Sequence, residues 1–219
     1  MKSNYWLTLF IIDAVLHLTT TISSIPTLNL ITKPLLMILL GGYFVSLVGN
    51  KNNKLRLLII IALACSWFGD TFLMFQESNP MFFMLGLGSF LLAHVAYVIG
   101  FNKFDNLVPK SAVYLIVILF ATYSLTLANA LWSGLGEMKI PVLVYALVIT
   151  LMGIFGFIKN WQINKLILIG VVLFIISDSL IAYTKFVEPL DMSRLLIMST
   201  YITAQFLIIK GLSQRILTN

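Results

Sequence analysis

Two aspartates, Asp70 and Asp178, stand in the middle of otherwise apolar stretches of this 219-residue chain. Asp70 lies in CSWFGDTFLMF, residues 65–75, and Asp178 lies in LFIISDSLIAYTKF, residues 173–186. A carboxyl group inside a membrane helix costs about 3 kcal/mol on insertion scales, so it usually faces a bundle interior or a wet cavity. Two such groups could serve as general acid and general base in an enzyme, or could bind a proton or cation in a transporter.

The composition places these aspartates in a membrane protein. Apolar residues make up 60% of the chain and charged residues 10%, and the mean hydropathy is +1.01, which lies outside the range of soluble domains. A span needs about 20 mostly apolar residues, and helices satisfy their own backbone hydrogen bonds in lipid. The sequence therefore predicts an all-α, polytopic helical bundle that forms a single transmembrane domain, 1–219. Its eight predicted spans are 5–22, 34–49, 55–75, 80–101, 110–131, 140–158, 164–184 and 192–214.

The positions of lysine and arginine predict the orientation of the bundle. If the N-terminus is cytoplasmic, ten of the fourteen basic residues fall on the cytoplasmic side, as the positive-inside rule requires. Both termini are therefore predicted to be cytoplasmic. The net charge of +6 is explained by this topology and by anionic head groups, and the sequence lacks the basic face that nucleic-acid binding would need. The ten residues are Lys2, Lys51, Lys54, Arg56, Lys103, Lys110, Lys159, Lys165, Lys210 and Arg215.

An internal repeat relates the two halves of the chain. FGDTFLMF on the third span matches ISDSLIAY on the seventh, which makes Asp70 and Asp178 equivalent. SFLLAH on the fourth span likewise matches TYITAQ on the eighth, which pairs His94 with Gln205. An offset of four spans preserves orientation, so the prediction is a parallel four-helix repeat with halves 1–108 and 109–219. Each aspartate is then expected about six residues from the outer end of its span, facing the other across a central cavity.

Other polar residues lie in pairs on one face of a predicted helix, and the role of each pair has two interpretations. His94 and Tyr97 share a face of the fourth span, and Tyr201 and Gln205 share a face of the eighth. They could contribute to a site, or they could form interhelical hydrogen bonds worth about 0.6 kcal/mol each. Asp13 and His17 form a further i, i+4 pair on the first span, where a structural use is favoured over proton steering.

Two kinds of site are disfavoured by residue spacing. The two histidines lie on different spans and no cysteine cluster exists, so no zinc-binding spacing is available. Ser177 and Ser179 flank Asp178, but successive helical positions point in different directions and no Gly-x-Ser-x-Gly elbow occurs. The sequence therefore predicts neither a metal site nor a serine nucleophile.

Five motifs, read in chain order, carry a family resemblance. They are Lys33-Pro34 opening the second span, Gly69-Asp70 on the third, LGLGSFLLAHVAYVIGF on the fourth, FIISDSLIAYTKF on the seventh and TYITAQFLI on the eighth. They cover the chain from about residue 33 to its end. In these motifs the chain resembles the YhhN-like lysoplasmalogenase family of multi-pass membrane proteins. Asp13 and His17 lie outside them and take no role from the family.

The resemblance implies an enzyme of the cell membrane that hydrolyses the vinyl ether bond of lysoplasmalogens. The products would be a fatty aldehyde and glycerophospho-ethanolamine or glycerophosphocholine, and the resemblance implies neither a metal nor an organic cofactor. Asp70 and Asp178 would be the catalytic acid/base pair, and Lys33, at the outer edge, would meet the substrate phosphate. The residues expected to orient water or bond the glycerol oxygens are His94, Tyr97, Tyr201 and Gln205. The alternatives are a transporter or lipid-binding protein that uses the same carboxylates, and a structural membrane subunit.

Overall fold

A computed structural model describes residues 2–23, 25–51, 53–105 and 108–218. Within these residues the chain forms eight long α-helices and one short 3₁₀ turn, Gly136–Met138. All eight helices are long and apolar enough to cross a membrane, which confirms the predicted all-helical, eight-span architecture. The helices are α1 (Lys2–Ile22), α2 (Pro26–Val48), α3 (Asn53–Met74), α4 (Pro80–Phe101), α5 (Lys110–Leu131), α6 (Lys139–Asn160), α7 (Lys165–Phe186) and α8 (Ser193–Thr218).

Local chemistry explains where several helices begin and end. The side chain of Asn164 caps α7 by accepting hydrogen bonds from the backbone N–H groups of Leu166 and Ile167, at 3.1 and 3.3 Å. α2 ends at Gly49, whose φ of +59° favours glycine over residues that carry a Cβ atom. These capping residues lie between long apolar runs, in the short polar segments that connect the helices.

The start of α2 differs from the prediction. The helix begins at Pro26, and Pro34, predicted to open the span, lies inside it. Proline suits the first turn of a helix because its missing N–H would have no intrahelical partner there, and the apolar residues that follow Pro26 lengthen the span. A proline inside a membrane helix is tolerated because neighbouring groups can satisfy the freed carbonyl. Lys33 therefore lies about 10 Å along the helix from Pro26 and not at its edge.

The chain divides into two compact units. The first contains α1 to α4 together with the part of α8 from Ile209 onward, and in it α1 packs along α2 and α2 packs along α3. The second, Phe101–Ile208, contains α5, the 3₁₀ turn, α6, α7 and the first part of α8, and in it α6 packs against both α5 and α7. The four-helix repeat, the single-domain organisation and the cytoplasmic termini stay predictions.

Replacing Gly134 with alanine is expected to destabilise the second unit. Gly134 lies between α5 and the 3₁₀ turn, where an added Cβ atom would overlap the backbone carbonyl oxygen of Phe186 at the end of α7. Backbone cannot yield as a flexible side chain can, so we expect a loss of about 1–3 kcal/mol, the usual cost of overpacking. Thermal melting of the detergent-solubilised protein measures this loss. Gly88→Ala is the control because its Cβ would meet open space, and equal melting of both variants would contradict the prediction.

Candidate active site

Asp70 is buried in the first unit and lies next to a lysine. It lies on α3, four residues before Met74, and is 2% exposed. The Lys33 ammonium on α2 lies 3.7 Å from the Asp70 Oδ1 atom, and the Lys33 side chain is 16% exposed. The packing of α2 along α3 therefore pairs a carboxylate with an ammonium group inside the bundle. The phosphate contact predicted for Lys33 stays a prediction, but the lysine lies beside a candidate catalytic carboxylate.

Small residues bring α4 close to the helix that carries Asp70. A Cβ atom on Gly69 would lie 2.6 Å from the ring of Phe90, and one on Gly86 would lie 2.7 Å from the Leu73 side chain. The two helices can approach closely only because glycine occupies these positions. On α4, His94 and Tyr97 are fully buried, as their shared helical face predicts. Their role in substrate binding stays a prediction.

Asp178 belongs to the second unit and accepts a hydrogen bond from a tyrosine. The Tyr145 hydroxyl of α6 donates to the Asp178 Oδ2 atom at 2.5 Å. A short distance from Asp178, the Tyr123 hydroxyl of α5 donates to the Ser179 Oγ atom at 2.8 Å. Three helices thus each contribute polar groups to one cluster, in a region that is otherwise apolar.

This cluster lines a groove between α5, α6 and α7, which we call the Asp178 groove. Its cavity volume is about 50 Å³, and it is partly open to the helix surface. Of the described residues that line it, only Asp178 carries a carboxyl group, and most of the others are aliphatic or aromatic. The lining residues are Phe120, Tyr123, Ser124, Leu127, Ala128, Leu131, Val142, Tyr145, Ala146, Ile149, Thr150, Ile175, Asp178, Ser179 and Ala182. The arrangement suits an apolar molecule with one reactive polar centre.

The two serines beside Asp178 contact different helices. Ser177 donates to the Ile197 carbonyl on α8 at 3.1 Å, whereas Ser179 faces α5 and accepts from Tyr123. This is the divergence that helical geometry predicts for positions two residues apart. Asp178 lies between them in sequence and points into the groove with Ser179.

Tyr201 and Gln205 form the predicted pair on α8, away from the residues that line the Asp178 groove. Both are buried, and the Gln205 amide donates a long hydrogen bond of 3.5 Å to the Tyr201 hydroxyl. The Tyr201 ring packs edge-on against Phe174 of α7, with centroids 5.5 Å apart. The ring contact packs α7 against α8 in the second unit, and the predicted role of both residues in orienting substrate stays a prediction.

The two aspartates do not lie at the expected distance of six residues from the ends of their helices. Asp70 lies four residues before the end of α3 at Met74, and Asp178 lies eight residues before the end of α7 at Phe186. α7 continues two residues past its predicted end at residue 184. Distance from the helix end therefore does not support the equivalence of the two positions, which rests on the sequence motifs.

Sequence reasoning missed Tyr145, the hydrogen-bond donor to Asp178. A signal was available, because Tyr145 lies three residues after Val142 and four before Ile149, and both of these are buried. A tyrosine on the buried stripe of a membrane helix needs a hydrogen-bond acceptor nearby. The sequence alone could not identify that acceptor, since Asp178 lies 33 residues further along the chain.

Comparison with known proteins gives consistent matches. Lysoplasmalogenase TMEM86B of Sus scrofa is 29% identical over 177 residues, which cover 80% of this chain and 66% of the pig protein. Lysoplasmalogenase TMEM86B of Homo sapiens is 33% identical over 147 residues, covering 67% of this chain and 59% of the human protein. Lysoplasmalogenase TMEM86A of Bos taurus is 31% identical over 159 residues, covering 68% of this chain and 62% of the bovine protein.

These relatives are longer than the matched region, so the chain spans slightly less than two thirds of their length. No solved structure shows a significant match. Residues 28–212 match the YhhN family, and this range includes α3 to α7, nearly all of α2 and most of α8. The chain therefore belongs to the YhhN family of multi-pass membrane proteins.

Proposed function

We propose that this protein is a lysoplasmalogenase, a membrane hydrolase that cleaves the vinyl ether bond of lysoplasmalogens. The observation that carries the proposal is the Asp178 groove, where a carboxyl group lies among apolar side chains of three helices. Ligand sites of this kind are mostly apolar, with a few polar groups that fix the reactive centre. The names of the relatives support the same substrate class.

The reaction needs a proton donor at a carbon atom. A proton adds to the vinyl carbon farther from the ether oxygen, and the oxygen lone pair stabilises the resulting oxocarbenium ion. Water then adds to the cationic carbon and loses a proton, which gives a hemiacetal. The hemiacetal collapses to the aldehyde and the free glycerol hydroxyl, so one water molecule is consumed and the acid is regenerated.

Asp178 is the proposed general acid because the groove lets it reach that carbon. The hydrocarbon chain would lie along the aliphatic and aromatic lining, which brings the vinyl ether to the carboxyl group. The Tyr145 hydroxyl donates to Oδ2 and so orients the carboxyl group within the groove. A positioned acid of this kind contributes about 10²–10⁴-fold to rate.

Asp70 is the proposed second carboxylate of the reaction. Its neighbour Lys33, 3.7 Å away, is an ammonium group that can hold the carboxylate in place. A carboxylate can activate the attacking water and offset the positive charge of the oxocarbenium ion. His94, Tyr97, Tyr201 and Gln205 remain the proposed groups that bond water or glycerol oxygens.

The substrate would enter the groove sideways from the lipid. The outer face of α5 carries large exposed apolar side chains, including Ile118, Leu119 and Leu125, so lipid tails can lie directly beside the groove. A lysophospholipid has a single chain, and it could slide from the bilayer into a partly open groove without leaving an apolar environment. The protein would act within the cell membrane on a membrane lipid.

The test is aldehyde release by the purified protein in nanodiscs that contain a lysoplasmalogen. The matched control substrate is the saturated ether analogue, which lacks the double bond that accepts the proton. We expect aldehyde from the vinyl ether and none from the saturated ether. Solute uptake by proteoliposomes, with no aldehyde from either lipid, would instead support a transporter.

A groove-filling variant locates the chain-binding site. Ala128 lines the Asp178 groove, and phenylalanine at this position would occupy space proposed for the hydrocarbon chain. Ala130 lies on the same helix with an exposed side chain and is not among the lining residues. Ala128→Phe is expected to raise KM for the lysoplasmalogen about 10-fold or more, whereas Ala130→Phe leaves KM unchanged.

A further inference from the structure

The first helix holds two buried polar side chains that the proposed reaction does not use. Asp13 and His17 are 6% and 2% exposed, although both lie in a membrane-spanning helix. Residues four apart on a helix are neighbours, with about 5–6 Å between their Cβ atoms. Both residues lie before residue 28, where the match to the YhhN family begins.

One atom of each side chain lacks a hydrogen bond. Among the described residues, no partner contacts the Asp13 Oδ2 atom or the His17 Nε2 atom, and both atoms are enclosed by protein. A buried polar atom without a partner is destabilising, because it has lost its hydrogen bond to water and gained none in exchange. Two such atoms lie on side chains one helical turn apart. One ligand bound to both explains them better than two independent unsatisfied groups.

Contacts with α2 favour a proton on the Nδ1 atom of His17. The Thr32 hydroxyl donates its single hydrogen to the Leu28 carbonyl at 3.0 Å. With that hydrogen on the Leu28 carbonyl, Thr32 Oγ1 can only accept from His17 Nδ1, 2.8 Å away, and the proposal takes Nδ1 as the nitrogen that carries the ring hydrogen. In the neutral ring, Nε2 then carries a lone pair and no hydrogen. It is therefore a hydrogen-bond acceptor, as Asp13 Oδ2 is.

Two enclosed acceptors need a ligand that supplies two hydrogens. We propose that Asp13 and His17 form a binding site for one small O–H donor, a water molecule or a hydronium ion, between Oδ2 and Nε2. A water molecule has two hydrogens and is the size of ligand that buried polar groups commonly hold. A metal ion fits less well, since no group of three His, Cys, Asp or Glu in the described parts of the chain could hold one.

The charged and titratable groups around this site are few. On α2, the helix packed along α1, they are Lys33 and Tyr43, and Lys33 lies 3.7 Å from Asp70. On α1 itself, the remaining groups are Lys2 and Tyr5 near its start. A bound donor would satisfy both acceptors, and burial of Asp13 within the protein keeps its carboxyl group away from lipid.

The test uses nitrogen NMR of protein in which only histidine is labelled with ¹⁵N. The chain has two histidines, His17 and His94, and His17→Gln assigns the signals. We expect a protonated Nδ1, together with an Nε2 signal typical of a hydrogen-bonded acceptor for water, or of a protonated nitrogen for hydronium. Both results support the site and identify the donor.

Two substitutions at Asp13 complete the experiment. Asp13→Asn keeps an oxygen that can hold the donor, so the Nε2 signal should change little. Asp13→Leu removes it, so the Nε2 signal should shift toward that of an unbonded lone pair, while the His94 signals stay unchanged. A wild-type Nε2 that is already unbonded, or one that Asp13→Leu does not move, would overturn the proposal. A neutral His17 ring with its proton on Nε2 and none on Nδ1 would also overturn the proposal.

Discussion

Replacing Asp178 with asparagine is expected to reduce kcat for aldehyde release by about 10²–10⁴-fold, the contribution of a positioned general acid. Asparagine has the same size and its carbonyl can still accept the Tyr145 hydrogen bond, so the groove should keep its shape. It cannot, however, donate a proton to carbon. KM should therefore change little, because the hydrocarbon lining of the groove is intact.

The controls separate loss of the acid from loss of the fold. Asp191→Asn removes a carboxylate from an exposed loop and should have full activity. Tyr145→Phe keeps the Asp178 acid but removes its hydrogen bond, so we expect a smaller loss of about 10-fold in kcat. Melting temperatures of all variants show whether they remain folded. Near-normal turnover by a folded Asp178→Asn variant would remove Asp178 from the mechanism.

Replacing Asp70 with asparagine is expected to reduce kcat by about 10²-fold or more and also to lower stability. The substitution removes the carboxylate from the Lys33 ammonium 3.7 Å away, in the interior of a membrane protein. Breaking a buried ion pair costs about 3–5 kcal/mol. We expect a smaller loss here, of up to about 3 kcal/mol, because the Lys33 side chain is 16% exposed and its long stem can reach polar surroundings.

A double variant distinguishes a catalytic Asp70 from a structural one. Lys33→Met combined with Asp70→Asn removes both charges and leaves no unpaired ammonium group, so melting should return close to the wild-type value. If Asp70 is catalytic, this folded double variant stays less active than Lys33→Met alone, a comparison that accounts for the loss of the proposed Lys33 phosphate contact. Recovery of both stability and aldehyde release would show that Asp70 serves only to pair with Lys33.

Combining Asp70→Asn with Asp178→Asn tests whether the two carboxylates act as one pair. Residues that act as a unit in catalysis have strongly non-additive effects. If the pair works together, the double variant should be about as slow as the slower single variant. Independent roles would instead multiply the two losses, which would contradict the predicted acid/base pair.

The amino-acid sequence by itself determined the class of protein and most of the helices. Long apolar runs with polar interruptions can satisfy their backbone in lipid only as helices, and all eight predicted spans are helical in the structure. The motifs around Asp70, His94 and Asp178 also indicated the family, which the match over residues 28–212 confirms. These features are local, because each depends on residues within one span.

Helix ends and side-chain partners were decided by the tertiary structure. Pro34 was predicted to begin α2, but the helix begins at Pro26, so Lys33 lies inside it. The packing of α2 along α3 then brings Lys33 beside Asp70. Tyr145 and Asp178 are 33 residues apart, and only the packing of α6 against α7 brings the hydroxyl to the carboxylate. In an apolar chain nearly every helix face can pack, so hydropathy does not specify which helices meet. That choice depends on small residues and on hydrogen bonds between helices, whose partners are distant in sequence.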